Sequence, residues 1–264
     1  MYYNIHFACV SHIGNIRSIN QDNFICDGSY MEINDEKIVF PLCGKKYSDD
    51  NAVFGIFDGM GGEECGEVAS YIASKAASSL VIGNDAVSDL SEFCKKANDD
   101  ICDYAKTHEV SSMGTTAAML AFTEKDVVLC NIGDSKIFQF SNGALEQISK
   151  DHVAIAPFGM KPPLSQNLGI PPNEMIIVPY LARGEYNDGD IYLICSDGLT
   201  DMVSTIEISE LLDSKPIDEA AMLLLEKALA NGGRDNTSII ICRIERQSGL
   251  FAKWKRRKDN ARNK

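Results

Sequence analysis

Apolar residues recur along this chain at two periods, and the shifts between them divide it into elements. Glu63 to Val81 carries Val68, Ile72, Ala76 and Leu80 at helical intervals, and Ala86 to Thr107 repeats the pattern with Leu90, Phe93, Ala97 and Ile101. Both segments are expected to be amphipathic helices, and Thr205 to Leu212 and Ile217 to Ala230 are read as helices too. Shorter β-rich runs predict strands at Tyr2 to Val10, Ala52 to Phe57, Thr115 to Phe122, Asp126 to Ile132, Lys136 to Phe140, Ala144 to Ile148, Met175 to Pro179, Ile191 to Cys195 and Thr237 to Ile244. Asn142-Gly143 between two of these runs is a hairpin signal. Residues 23 to 51 are rich in polar positions, including Glu32 to Glu36 and Ser48 to Asn51, and are expected to form a hairpin with a solvated loop. Asp151 to Asn173 holds Pro157, Pro162, Pro163, Pro171 and Pro172 and is expected to be an irregular loop beside a site. Helices in blocks among antiparallel strands point to an α+β layered domain.

Composition narrows the class. At 264 residues with 45% apolar and 24% charged positions, the chain can bury a core without staples. Its nine cysteines are odd in number, scattered and free of any Cys-x-x-Cys pair, so reduced thiols in a cytoplasmic protein are expected. No apolar run approaches the roughly 20 residues of a membrane span, and the start lacks the marks of a signal peptide. The net charge of −13 argues against nucleic-acid binding by the body of the protein and permits a site that concentrates divalent cations. From Arg246 onward, eight Lys or Arg stand against one Asp, so this end carries +7 and the remainder −20. The expected division is a folded domain over 1–246 and a basic tail over 247–264. That tail is read either as a weak contact for an anionic membrane surface or an acidic partner, or as a disordered solubilising end.

The informative feature is where the aspartates fall. Asp58, Asp134, Asp197 and Asp235 each sit at a turn beside an apolar β-rich run, three of the four with a neighbouring glycine, as in Gly55-Ile-Phe-Asp58-Gly59 and Ile194-Cys-Ser196-Asp197-Gly198. Gathered together, four carboxylates would repel one another unless cations lay between them. Hard oxygen ligands with no His or Cys cluster in competition favour magnesium or manganese over zinc. Asp-Gly is also common turn chemistry, and Asp27-Gly28 and Asp188-Gly189 are read as turns alone. Arg17 beside such a site would suit a phosphate, because its fork holds two phosphate oxygens.

Taken in order, seven strings resemble the metal-dependent protein phosphatases (the PPM family, type 2C serine/threonine phosphatases), particularly the bacterial members. They are Gly14 to Asp22, Phe57 to Gly62, Met113 to Thr116, Gly133 to Ser135, Lys150 to His152, Cys195 to Asp201 and Asp235 to Thr237. The resemblance implies a four-layer αββα sandwich, two mainly antiparallel β-sheets flanked by pairs of helices. It implies a hydrolase that cleaves phosphoserine and phosphothreonine in phosphoproteins by direct attack of a water held by two Mn2+ or Mg2+ ions, and that opposes a bacterial Ser/Thr kinase in signalling. By position, Asp58 bridges the two ions, Gly59 offers its carbonyl to one, and Asp197 and Asp235 ligate the other. Asp22 holds metal-bound water, Arg17 binds phosphate, and Asp134 and Asp201 fall where a third, weaker ion binds in bacterial relatives. Met60 stands where many eukaryotic relatives carry a histidine, and Lys136 replaces a common arginine. The Asp151 to Asp190 segment, where relatives carry a flap, is short. Two other readings stay open: a binder of phosphoproteins without turnover, and a hydrolase of small phosphate esters.

Overall fold

The computed structural model describes residues 3–33, 38–48, 50, 52–60, 65–124, 126–157 and 160–247. In chain order the elements are β1 (Tyr3–His12), β2 (Asp22–Cys26), β3 (Ile38–Tyr47), β4 (Ala52–Met60), α1 (Gly66–Ser78), α2 (Ala86–Thr107), β5 (Gly114–Thr115), β6 (Ala117–Phe122), β7 (Val127–Ile132), β8 (Lys136–Ser141), β9 (Ala144–Gln147), β10 (Tyr180–Gly184), β11 (Ile191–Cys195), α3 (Asp197–Thr200), α4 (Thr205–Ser214), α5 (Ile217–Ala230) and β12 (Thr237–Arg246). One sheet runs β3-β1-β12-β11-β8-β9 and the other β10-β7-β6-β4-β2, with the short β5 pairing the end of β4. The strand pairs that build these sheets are antiparallel.

Three apolar layers make this a four-layer αββα sandwich. Between the sheets lie Phe7, Phe24, Phe54, Phe122, Tyr192 and Ile240, with Phe122 edge-on to Tyr192 at a centroid distance of 5.5 Å. Outside one sheet, Leu90, Phe93, Ala97 and Ile101 of α2 and Val68 and Ala73 of α1 pack on Met119 and Val128. Outside the other, Ile208, Leu212 and Leu224 of α4 and α5 pack on Leu193, Ile239 and Ile241. Each sheet is thus buried on both faces, which explains the unbroken apolar runs. In β12, Ile239 and Ile241 face the helices while Ile240, Cys242 and Ile244 face the opposite sheet.

The structure corrects some sequence-based expectations. Residues 23 to 51 do not form one hairpin: β2 pairs β4 in one sheet and β3 pairs β1 in the other. Asp27 and Gly28, with φ of 53° and 75°, make the tight turn expected of them, between Cys26 and Ser29, and Asp27 also pairs with Lys46 at 2.8 Å. The strand expected at Met175 to Pro179 forms instead at Tyr180–Gly184, which takes the free side of β7. Pro179 has no N–H to give such a ladder, and Met175, Ile176 and Val178 stay exposed. The helix expected from Glu63 begins at Gly66. Gly61, Gly62 and residues 248–264, most of the basic tail, lie outside the described residues. Among those described, no helix is long and apolar enough to cross a membrane.

Candidate metal centre

At one end of the sandwich the two sheets each deliver acidic residues. From the first, Asp22 of β2 lies directly opposite Asp58 of β4 in the antiparallel register, an arrangement that brings side chains on one face to within about 5 Å. The Asp58 backbone is fixed on both sides: its N–H donates to Thr116 Oγ1 at 3.0 Å, and its carbonyl accepts from Thr116 N at 2.9 Å and Thr115 Oγ1 at 3.0 Å. Gly59 N donates to the Gln21 carbonyl at 3.0 Å. A Cβ on Gly59 would stand 2.2 Å from the Gly66 carbonyl oxygen, so only glycine allows the chain to pass here.

The second sheet contributes Asp197 and Asp235. Asp197 opens α3 directly after β11, and Asp235 precedes β12. Ser196 joins the sheets: its hydroxyl donates to Asp22 Oδ2 at 2.7 Å and accepts from Ser238 N at 3.0 Å. Asn236 fastens the loop that carries Arg17, donating to the carbonyls of Ile13 (2.8 Å) and Ile19 (3.0 Å) and accepting from Gln21 N (2.8 Å). Arg17 then reaches Asp235 Oδ2 at 2.7 Å. Asp134 follows Gly133, whose N–H donates to His152 Nδ1 at 3.2 Å and whose carbonyl accepts from His152 N at 2.8 Å. Asp201 lies exposed at the end of α3, and Lys161 Nζ bridges Asp197 and Asp201, the latter at 3.3 Å.

The electrostatics follow from burial and crowding. Burial, then the charges of Asp22, Asp197, Asp134 and Asp235, holds the Asp58 carboxyl well above the usual carboxylate range. Asp22 is pushed to about 7, chiefly by burial and also by Asp197 and Asp235, with Ser196 and Ser238 pulling the other way. Burial likewise raises Asp134 and Asp197, with the ammonium of Lys161 opposing the rise in both. The hydrogen bond to Asp235 raises Arg17, so it stays a cation.

All eight residues singled out from the sequence therefore border one end of the molecule, though not as a closed cage. Among the described residues, no three His, Cys, Asp or Glu side chains close to metal-holding distance, and Arg17 and Lys161 offset part of the negative charge at the rim. The donor set nevertheless fits a hard divalent ion: every side-chain donor is a carboxylate, and Asp22 Oδ1 is buried with no hydrogen-bond partner. Sequence reasoning included Ser196 and Asn236 in its strings but gave them no role, and it missed Lys161, which had no signal beyond being a cation in the proline-rich stretch.

The chain is similar to known proteins over most of its length. The protein phosphatase 2C family model matches residues 43–219. The serine/threonine phosphatase stp of Listeria monocytogenes is 28% identical over 213 residues, 73% of this chain and 84% of that protein. The serine/threonine protein phosphatase PstP of Mycobacterium tuberculosis is 31% identical over 201 residues, 71% of this chain and 39% of PstP. Among solved structures, the catalytic domain of the serine threonine protein phosphatase PstP in complex with two manganese ions aligns at a TM-score of 0.76 and 27% identity, over 92% of this chain and 100% of that one.

Proposed function

The chain belongs to the protein phosphatase 2C family, and on that premise we propose that it is a metal-dependent protein serine/threonine phosphatase, hydrolysing phosphoserine and phosphothreonine in phosphoproteins. The observation that carries this reading is the meeting of Asp22 and Asp58 from one sheet with Asp197 and Asp235 from the other, beside Arg17. Asp58, the Gly59 carbonyl, Asp197 and Asp235 would hold two Mn2+ or Mg2+ ions, as a two-manganese complex of a related catalytic domain supports. Asp134 and Asp201 would serve a third, weaker one. Bound there, the ions would supply positive charge on the phosphate and a water of lowered pKa.

The chain's own groups do the rest. Arg17 takes phosphate oxygens in its fork once it leaves Asp235. Asp22 is buried between Ser196 and the strand, placed to accept a hydrogen bond from a water in the centre. His152 accepts from Gly133 N, and burial lowers its pKa, so it positions the Asp134 turn as a neutral ring. Cys195 is buried on β11 with its thiol pushed up to about 12, which leaves no thiolate to act as nucleophile.

The finer reading places the enzyme in the cytoplasm, opposing a Ser/Thr kinase, with the catalytic domain over 1–246 and the basic tail touching an anionic surface or acidic partner. The deciding experiment follows phosphate release from a phosphothreonine peptide with manganese, magnesium or chelator, for wild type and Asp197→Asn. Manganese-dependent turnover lost in the variant is expected; turnover that survives chelation or the substitution overturns the metal assignment.

A further inference from the structure

Arg17 stands on an irregular segment between β1 and β2, and the hydrogen bonds that hold this segment extend beyond the acidic rim, to Asn15. The Asn15 backbone N–H donates to the Gly233 carbonyl at 2.7 Å, and its side-chain amide donates to the carbonyls of Leu229 at 2.8 Å and Gly232 at 3.2 Å. Leu229 lies in the last turn of α5, where carbonyls have no partner further along the helix. One amide therefore both caps that end and clips the Arg17 segment to it. The fit is close. Gly14 has a φ of 84°, and a Cβ there would stand 2.4 Å from the Asp235 carbonyl oxygen; one on Gly233, at a φ of 52°, would stand 2.7 Å from the Asn15 amide nitrogen.

The stretch that receives Asn15 leads directly to Asp235. Arg17 and Asp235, 2.7 Å apart, thus sit on two pieces of backbone stitched to each other and to the end of α5. Arginine is a long side chain, and holding its fork on a phosphate costs conformational entropy. A backbone already fixed at Asn15 leaves less to be ordered when phosphate arrives. Asp235 has support of its own, since its Oδ1 accepts from Asn236 N at 2.9 Å, so metal binding should not depend on the clip. We infer that Asn15 is a positioning residue for phosphate, acting through Arg17 by holding the base of that side chain where the guanidinium must meet the substrate. The inference rests on the proposed assignment of Arg17 to phosphate.

The test uses the full chain with manganese, a phosphothreonine peptide as substrate and inorganic phosphate as inhibitor. Asn15→Leu keeps the size of the side chain and removes its donors, while Asn15→Ser keeps one hydroxyl donor. In Asn15→Leu, KM for the peptide and the inhibition constant for phosphate should both rise about fivefold, the factor that one net hydrogen bond is worth. Its kcat and manganese affinity should stay close to wild type, because the lost ordering weakens ground state and transition state alike. Asn15→Ser should fall between the two. In an Arg17→Ala background Asn15→Leu should change neither constant further, since both residues act on one contact. A purely structural role would lower the melting temperature and leave both constants unchanged. That result, or an additive effect on Arg17→Ala, overturns the inference while the assignment of Arg17 stands. Constants that Arg17→Ala itself does not move overturn that assignment and the inference with it, and a wild type without manganese-dependent turnover overturns the reading on which both rest.

Discussion

Asp22 and Asp58 face one another from adjacent strands, and each is buried next to further carboxylates. Like charges opposite each other in a sheet destabilise it, and burial adds to that cost here. For Asp22 the consequence can be given a sign. Its pKa is raised from 3.8 to about 7, first by burial and then by its acidic neighbours. Between those two values the folded protein binds more protons at this group than the unfolded chain does, so stability falls as pH rises through that window. The stabilisation is complete below 3.8 and lost above 7. Metal-free protein should accordingly melt at a lower temperature at pH 8 than at pH 5, and Asp22→Asn should make that dependence shallower, since an amide has no proton to lose. Melting curves at pH 5, 6, 7 and 8 in chelator decide it, and parallel slopes for the two proteins would place the dependence on other groups. Asp58 pulls in the same direction, so the slope of the variant is expected to shrink rather than vanish.

At the scale of elements, helices and strands differ in how far their sequences reveal them. α2 and α5 coincide with the periods of their apolar residues because each is long and amphipathic with one face to cover. α4 adds a local signal, a capping box. Ser204 Oγ accepts from Glu207 N, while the Glu207 carboxylate accepts from Ser204 N at 3.0 Å and from Ser204 Oγ at 2.7 Å. Ser204→Ala should cost about 1 kcal/mol of unfolding free energy, measured by urea titration near neutral pH. Lys227 and then Ser204 depress the Glu207 pKa from 4.5 to about 2, so the part of this cap that the carboxylate supplies is present above 4.5 and is lost as pH falls through 2, while the bond from Glu207 N to Ser204 Oγ does not titrate. The difference between wild type and Ser204→Ala should therefore narrow as pH falls from 4.5 toward 2, and a constant difference over that range would refute the role of the charge. Other elements were not legible because their partners are remote. Nothing within residues 23 to 51 says that β2 joins β4 and β3 joins β1 in opposite sheets, and α3 is a single turn too short to carry a period. The aspartates of the candidate centre stood out because each is embedded in a local string. Ser196 did not, since its bond to Asp22 spans 174 residues of sequence and exists only when the two sheets pack.

For the whole molecule, the placement of the acidic residues would link metal binding at the proposed centre to the stacking of the two sheets. Asp22 and Asp58 belong to the β10-β7-β6-β4-β2 sheet, while Asp197 and Asp235 extend from strands of the other. Between them the packing is apolar, anchored by Phe54, Phe122 and Tyr192, and one end is left with converging negative charge on a chain whose net charge is −13. A divalent ion held by carboxylates from both sheets would cross-link the layers and remove that repulsion together. Because unfolding separates the ligands, the ion binds the folded state alone and stabilises it by mass action, by about 2.7 kcal/mol at a hundred times its Kd. For a domain of this size that amounts to a rise in Tm of roughly 5 to 11 °C. Screening by salt would also relieve the repulsion, so the comparison must be made at matched ionic strength with sodium chloride. Manganese should raise Tm well beyond sodium, chelator should reverse it, and Asp58→Asn and Asp197→Asn, one from each sheet, should each remove most of the shift. A shift that sodium reproduces would reduce the effect to screening. One that either variant retains in full would mean that the ion binds within a single sheet, and the two layers would then be held together by their apolar core alone.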